Sequence, residues 1–306
     1  MEAKWVAVTA VAPVAWGSNY YVTHEFLPAG HPLYGALFRA LPAGLLLLAV
    51  HRRLPTGAWW WRSLVLGTLD VGAFFVLIYV AAQLLPTSVA ATVMATSPVV
   101  MMLFAWLVLS VPPRGRQLLG AALGIAGVGL MLLTGAVAAD PRGVAASVAA
   151  MVMSSYGYVL TKKWGDGVDV LSLTAWQLIA GALVLLPVAA VAETPPRLDG
   201  PAVLGFAYVT MVATALAFAA WFAGLRHLDA GTVGLVGLLN PVTGVLLGTA
   251  VATETLSTRQ LIGLALVIAG ILVPHAGRRG SRSYDRRRGE TVAETGLPHH
   301  RAVRRG

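Results

Sequence analysis

The chain has 306 residues and a net charge of +9; 57% of its residues are hydrophobic and 11% are charged. A soluble domain usually contains about 25% charged residues, so the composition excludes an ordinary soluble globular protein. Cysteine is absent, which excludes disulfides, zinc–thiolate sites and thiol nucleophiles.

Long apolar runs recur along the chain, and a helix of about 20 residues crosses the ~30 Å hydrocarbon core of a bilayer. They predict an all-α polytopic membrane protein with ten transmembrane helices, at about 4–22, 32–50, 63–84, 88–111, 117–138, 144–163, 170–192, 200–225, 230–250 and 256–274. Proline, glycine and charged residues separate the runs, as in Asp140-Pro141-Arg142-Gly143. The first run lacks a small-residue cleavage site, so we expect it to be retained as a membrane span.

The Lys and Arg residues predict the orientation. If the N-terminus is cytoplasmic, the cytoplasmic side holds most of them, and the opposite loops hold only Arg142, Arg197 and Arg259. An even number of spans then places both termini on the cytoplasmic side of the inner (plasma) membrane. The tail, 275–306, is rich in arginine and poor in apolar residues; we expect it to be disordered, to contact membrane lipid and not to bind nucleic acid.

Polar residues within the first three spans are candidates for substrate binding. Trp16, Asn19 and Tyr20 share a helix face that is too polar for lipid, so they either pack against neighbouring helices or line a cavity. Arg39 and Asp70 are the basic and the acidic residue placed deep in a span, at similar depths. Two interpretations stay open. In the first, the two residues form a buried ion pair. In the second, they act in transport: Arg39 binds a substrate carboxylate or gates the site, or Asp70 titrates in a proton-coupled cycle.

Prolines interrupt the predicted fourth and ninth spans, at Pro98 and Pro241. Each removes one backbone hydrogen bond, which indicates either a kink that aids packing or a hinge beside a cavity. Asn240 stands beside the second break and is a further site candidate. In the fifth span, the spacing of Gly120 and Gly124 permits close helix approach, so a homodimer through this face is one expected arrangement.

The sixth and eighth spans supply the remaining candidates for substrate binding. Tyr158 is chosen because it aligns with Tyr20 in an internal repeat, described next. Thr214 and Trp221 belong to a polar and aromatic stripe of the eighth span.

The two halves of the chain resemble each other. Residues 98–127 align with 241–270 at a constant spacing, and a weaker match aligns 16–20 with 154–158. The aligned pairs include Pro98 with Pro241, Gly120 with Gly263, Phe38 with Trp176 and Arg39 with Gln177. Five spans per repeat force the second copy to enter the membrane from the opposite face. Such inverted halves have a pseudo-two-fold axis in the membrane plane.

The sequence resembles the drug/metabolite transporter superfamily, and within it the EamA-type branch with two five-helix repeats. The motifs are Trp16-Gly17-Ser18-Asn19, Phe38-Arg39-Ala40, Pro98 with Gln117-Leu118-Leu119-Gly120, and Asn240-Pro241 with Glu254, Gln260 and Gly263. The resemblance covers about residues 4–274 and implies EamA-like repeats at 1–138 and 139–274, followed by the basic tail 275–306. The chain departs from the family pattern at Val111. This position aligns with Glu254, and members of the family usually have an acidic residue there.

The resemblance implies a secondary transporter of small metabolites, such as amino acids or related amphipathic solutes, that works by alternating access with export favoured. Its substrate site is expected at the centre, between the halves. The sequence has no nucleotide-binding loop, zinc-binding helix motif or nucleophile elbow, so we expect neither enzyme activity nor a cofactor or metal. Two alternatives stay open: a membrane-embedded enzyme acting on lipid or peptide, and a membrane scaffold without transport.

Overall fold

The structure, a computed structural model of the chain, describes residues 2–28, 30–85, 87–132, 140–252 and 256–275. Over these residues the chain is helical and forms no β-strand. The helices are α1 (Glu2–Phe26), α2 (Pro32–His51), α3 (Trp59–Gly67), α4 (Ala73–Leu84), α5 (Thr87–Met94), α6 (Ser97–Leu109), α7 (Gly115–Leu132), α8 (Pro141–Trp164), α9 (Val170–Ala192), α10 (Gly200–Thr210), α11 (Ala217–His227), α12 (Ala230–Gly237), α13 (Leu239–Ala252) and α14 (Thr258–Leu272). The π-helical turns Thr68–Gly72 and Met211–Leu216 join α3 to α4 and α10 to α11. Glu254 and the tail 276–306 lie outside the described residues.

Eight helical segments of the described chain are long and apolar enough to cross a membrane, by length and composition. They correspond to the second to ninth predicted spans. The first predicted span is α1, which carries Glu2 and Lys4 and is not one of the eight. The tenth is α14, whose 15 residues fall short of the ~20 that span a bilayer. The all-helical membrane fold is therefore confirmed, and eight of the ten predicted spans meet the requirements of a membrane crossing.

The predicted fourth and ninth spans are each broken into two helices. Ala95 and Thr96 separate α5 from α6, and Leu238 separates α12 from α13. Pro98 lies in the first turn of α6, where its missing N–H removes no intrahelical hydrogen bond. Pro241 is the third residue of α13. The prolines therefore follow the breaks at equivalent positions of the two halves, and neither lies inside a continuous helix.

Equivalent helices of the two halves run antiparallel. At one end of the packed pair α2 and α9, Glu193 after α9 accepts hydrogen bonds from the backbone N–H groups of Leu33 (2.9 Å) and Tyr34 (3.0 Å) at the start of α2. At the other end, the Trp176 indole in α9 donates to the carbonyl of Arg53 just after α2 (2.8 Å). The start of each helix thus meets the end of the other. Since α2 and α9 are the second spans of their halves, the halves are inverted.

The last helices of the two halves, α7 and α14, pack closely through glycine. Gly120 lies against the carbonyl of Gly270, and Gly127 against that of Gly263, so this pair is also antiparallel. Gly124, which with Gly120 predicts a dimer face, packs within the chain at the junction of α12 and α13. The predicted dimer face is therefore occupied inside the molecule, and a homodimer stays a prediction without an assigned surface.

Carboxylate caps set where four helices of the second half begin. The residue before α8, α9, α10 and α12 accepts a hydrogen bond from a backbone N–H of the first turn; these residues are Asp140, Asp169, Asp199 and Asp229. A capping carboxylate satisfies an unpaired N–H and suits the positive end of the helix dipole. Ser257 caps α14 in a capping box with Gln260. These local signals explain why the helix starts were predictable from the sequence to within a few residues.

Candidate functional site

Five of the predicted substrate-binding residues meet around the π-helical turn Met211–Leu216 and the helix α11 that follows it. They are Trp16, Arg39, Tyr158, Thr214 and Trp221. Because α1, α2 and α8 each contribute a member, the cluster joins both halves. π-helical turns are rare and are frequent at functional sites.

Arg39 is half-buried in α2 and is held by neutral groups. Its Nε donates to the Thr214 hydroxyl (2.8 Å) and its Nη2 donates to the carbonyl of Ala213 (2.9 Å). Its guanidinium carbon lies 5.6 Å from the centre of the Phe75 ring. The same Ala213 carbonyl also accepts a hydrogen bond from the Trp16 indole (3.1 Å). The π turn therefore orients both the cation and the tryptophan.

Aromatic rings fill the space beside this turn. The Trp16 ring lies 5.3 Å from those of both Phe218 and Trp221, and Trp221 lies 5.4 Å from Tyr158. Trp221 is buried, and its indole N–H has no hydrogen-bond partner there. In the described conformation the aromatic residues of the predicted site therefore pack against one another, and they present one unused buried donor.

Asn19, Tyr20 and Asn240, the remaining predicted residues apart from Asp70, are less closely tied to this cluster. The Oδ1 of Asn19 is buried without a hydrogen-bond partner. The backbone carbonyl of Asn240 packs against Gly17 of α1. The side chain of Tyr20 lies outside what the structure describes. Asn19 and Asn240 therefore stay predictions without an assigned contact.

Asp70 lies in the other π-helical turn, Thr68–Gly72, and is fully buried. Its Oδ2 accepts a hydrogen bond from the Thr161 hydroxyl (3.5 Å), which itself accepts one from the Gln177 amide (3.3 Å). Its Oδ1 has no partner and faces Gly157, where a Cβ would lie 2.0 Å away. Gly157 therefore provides the space that the carboxyl group occupies.

The predicted ion pair between Arg39 and Asp70 is not formed. Both residues lie in described segments, and no ion pair joins them. Arg39 extends from α2 toward the π turn of the eighth span, whereas Asp70 extends from the third span toward Thr161 of α8. Similar depth did not bring them together, because the rotation of each helix points the two side chains at different neighbours.

The sites around Arg39 and Asp70 are equivalent by the internal symmetry. The spacing that aligns Pro98 with Pro241 also aligns the two π turns, and it places Ala213 at the position of Asp70. The earlier match aligns Arg39 with Gln177. Arg39 contacts the π turn at Ala213, and Gln177 is hydrogen-bonded through Thr161 to Asp70 in the other turn. Two equivalent sites thus carry different chemistry, one cationic and one acidic.

Polar and aromatic contacts join helices at the end of the bundle that holds the N-terminus. Trp5 of α1 stacks on His227 at the end of α11, with ring centres 3.5 Å apart. Lys162 of α8 donates to the carbonyls of Leu225 (2.5 Å) and Leu228 (2.7 Å). A small cavity opens at this end between α8, α9 and α11 and reaches Thr161, with room for about two water molecules.

Sequence reasoning missed two residues of the Asp70 network and one contact of α1. Thr161 is four residues after Gly157 and therefore on the same helix face, which is the signal that could have found it. Gln177 was aligned with Arg39 but was not proposed as a site residue. Tyr208 of α10 forms a 2.6 Å hydrogen bond with Ser18 of α1, and no sequence pattern marks that contact.

Comparisons with known proteins agree with this architecture. The chain is similar to Protein PecM of Dickeya dadantii, with 38% identity over 265 residues that cover 86% of this chain and 89% of that protein. It is similar to the uncharacterized inner membrane transporter YedA of Escherichia coli K12, with 26% identity over 87% of this chain and 88% of YedA. The uncharacterized transporter YvbV of Bacillus subtilis is 25% identical over 92% of this chain and 95% of its own length.

A solved crystal structure has the same fold, with a TM-score of 0.80 and 21% identity over 90% of this chain and 98% of the other. The model of the EamA-like transporter family matches twice, at residues 3–133 and 141–273. The two matches together span both inverted halves and nearly all of the described helices. These helices and these relatives identify a multi-pass membrane transporter, and the chain belongs to the EamA-like transporter family.

Proposed function

We propose that this transporter moves a small amphipathic metabolite with a carboxylate group, such as an amino acid, by alternating access, and that Arg39 binds the carboxylate. One observation carries the proposal. Arg39 lies between the halves, and within the described chain its guanidinium is held by a hydroxyl, a carbonyl and a ring, with no acidic partner.

A cation at this depth is costly without a counter-charge, and ionisable residues inside membranes usually mark a substrate path. Thr214 and Ala213 orient the guanidinium but cannot neutralise it. A planar guanidinium presents a fork of N–H donors that matches a carboxylate in two parallel hydrogen bonds. The neighbouring rings of Trp16 and Phe75 suit the apolar part of an amphipathic solute.

The inverted halves support alternating access. Two structurally similar halves that are related by a pseudo-two-fold axis can exchange their arrangements, which opens the central site first to one side and then to the other. We infer that the contacts of Trp5 and Lys162 close the end that holds the N-terminus. We propose that these contacts break when the site opens to that end.

The distribution of basic residues supports an orientation with both termini in the cytoplasm. The printed name of YedA, an inner membrane transporter, supports the same membrane for this chain. The closed end is then the cytoplasmic end. Export is the direction that the family resemblance favours, and we propose it here.

Transport is tested with the purified full chain in proteoliposomes. The probes are radiolabelled amino acids and short carboxylic acids, supplied outside vesicles that are preloaded with the same unlabelled compound. We expect uptake of at least one carboxylate above that of protein-free vesicles, and no uptake of its carboxamide analogue. Exchange of the carboxamide at the same rate would exclude carboxylate recognition, and exchange of no probe would count against small-metabolite transport.

A further inference from the structure

We propose that Asp70 is the proton-carrying residue of this transporter, binding one proton and releasing it once in each transport cycle. The inference rests on the proposed transport function and adds its coupling to a proton gradient. The geometry that carries it is a fully buried carboxyl group with one unpartnered oxygen, whose other oxygen is hydrogen-bonded to Thr161, a residue that also lines a cavity at one end of the bundle.

The surroundings of Asp70 supply no cation within ion-pair distance in the described chain. Thr161 donates to one carboxyl oxygen, and the other oxygen has no donor. A carboxylate that is buried without a cation or a full set of donors is strongly destabilised, whereas the neutral acid is not. The described packing therefore accommodates the protonated form of Asp70.

The charged and titratable neighbours leave this conclusion unchanged. Tyr158 of α8 is the titratable group that lies close enough to interact with Asp70, and it is neutral when protonated. Lys162, one position after Thr161, directs its ammonium group to the carbonyls at the end of α11. Arg62 of α3 lies over tryptophan rings, about two turns from Asp70 along the same span. From α9, the side chain that reaches the network is the neutral amide of Gln177.

A route for the proton starts at the cavity near the N-terminal end, which Thr161 lines. The Thr161 hydroxyl donates to Asp70 and accepts from Gln177. A proton from a water molecule in the cavity can bind the Thr161 oxygen while the hydroxyl proton passes to Asp70 Oδ2. The reverse transfer returns a carboxylate and a protonated water. In the opposite conformation of the halves, the carboxyl group exchanges its proton with the other side.

The internal symmetry argues against a purely structural role. The equivalent π turn of the second half has Ala213 at the position of Asp70 and forms without a carboxyl group. A π turn of this fold therefore does not need the acid for its own packing. An acidic residue is present in this turn in one half alone, together with Gly157, whose missing side chain leaves room for it.

The first test needs no substrate. Infrared difference spectra are recorded on the reconstituted full chain and on Asp70→Asn from acidic to alkaline pH. We expect a C=O band of a protonated carboxyl group that is present at neutral pH in the wild type, absent from Asp70→Asn, and lost at alkaline pH. Asp166→Asn, which removes an exposed loop carboxyl, is the matched control and should keep the band. The absence of this band at every pH would overturn the proposal.

The second test uses the radiolabelled carboxylate that exchanges in the proteoliposomes. If one proton moves with each solute, a gradient of about one pH unit supports up to about ten-fold accumulation. Asp70→Asn should abolish that accumulation, while solute-for-solute exchange, which moves no net proton, continues; Asp70→Glu should restore part of it. If the wild type accumulates the solute equally with and without the pH gradient, the proposed coupling is wrong, but the proposed transport is not. A lack of exchange by the wild type would instead overturn the proposed function.

Discussion

At the scale of single residues, the two deep ionisable side chains differ in how they are held. Arg39 has two neutral acceptors and an aromatic face, and its charge is permanent at every physiological pH. Asp70 has one weak donor and an unpartnered oxygen. A permanent cation is suited to bind an anion, and a carboxyl group that can be neutral or charged is suited to carry a proton.

Substitutions at Arg39 test carboxylate binding. Removing a hydrogen-bonding partner of a charged group costs about 1.5–3 kcal/mol, so Arg39→Ala should raise the KM for the carboxylate about ten- to hundred-fold. Arg39→Lys keeps the charge but loses the planar fork, and we expect an intermediate rise. Initial rates of exchange at varied solute concentration measure both. Arg142→Ala, at an exposed arginine, is the control. An unchanged KM in Arg39→Ala would remove Arg39 from the binding site.

At the scale of helices, the glycine contact of α7 with α14 joins the ends of the two halves. Helices in lipid gain little from the hydrophobic effect between themselves, so close backbone approach and dispersion hold them together. Gly120 packs against the backbone carbonyl of Gly270 and Gly270 against that of Gly120. Gly127 and Gly263 form the same reciprocal contact. A single methyl group added at this contact should therefore push the two helices apart.

Alanine substitutions test the glycine contact. In Gly120→Ala the new Cβ would lie 2.4 Å from the Gly270 oxygen, so the helices must separate, at a cost of about 1–3 kcal/mol. We expect a lower midpoint of thermal unfolding in detergent, followed by tryptophan fluorescence. Gly115→Ala is the matched control, because no heavy atom lies within 4 Å of its Cβ position. Equal midpoints for the two variants would show that the contact is not tight.

At the scale of the whole molecule, inversion of the halves determines which loops share a side of the membrane. The loop between α2 and α3 and the loop between α9 and α10 are equivalent in the repeat. If α3 to α9 cross the membrane as described, these two loops lie on opposite sides. Thr56 and Arg197 are exposed positions in the two loops.

Single cysteines test the inversion directly, because the natural chain has none. We expect a membrane-impermeant maleimide to label Arg197→Cys in intact cells and to label Thr56→Cys only after the membrane is opened. The physical reason is that each span reverses the side of the chain, and five spans, an odd number, separate the two loops. Labelling of both cysteines from the same side would contradict inverted halves, and labelling of Thr56→Cys alone would reverse the proposed orientation.

The class of the protein and the approximate limits of most of its spans follow from local patterns in the sequence. In the bilayer core no water is present to pair with backbone N–H and C=O groups. A chain segment that crosses it as a helix pairs these groups internally, so long apolar runs predict helices. Where they begin is a local matter, as the carboxylate at Asp140 and the prolines at Pro98 and Pro241 show. The repeat was also visible in the sequence, since it needs only aligned residues.

The contacts between side chains of different helices depend on how the helices pack. A helix that is apolar on all sides carries no strong periodic signal for its rotation, so the depths of Arg39 and Asp70 could be estimated but not their neighbours. Close packing at glycines constrains the rotation and register of pairs such as α7 and α14, and it occupies the face of Gly120 within the chain. Helix spacing puts Thr161 on the same face as Gly157, but the packing of the helices decides that this face meets Asp70.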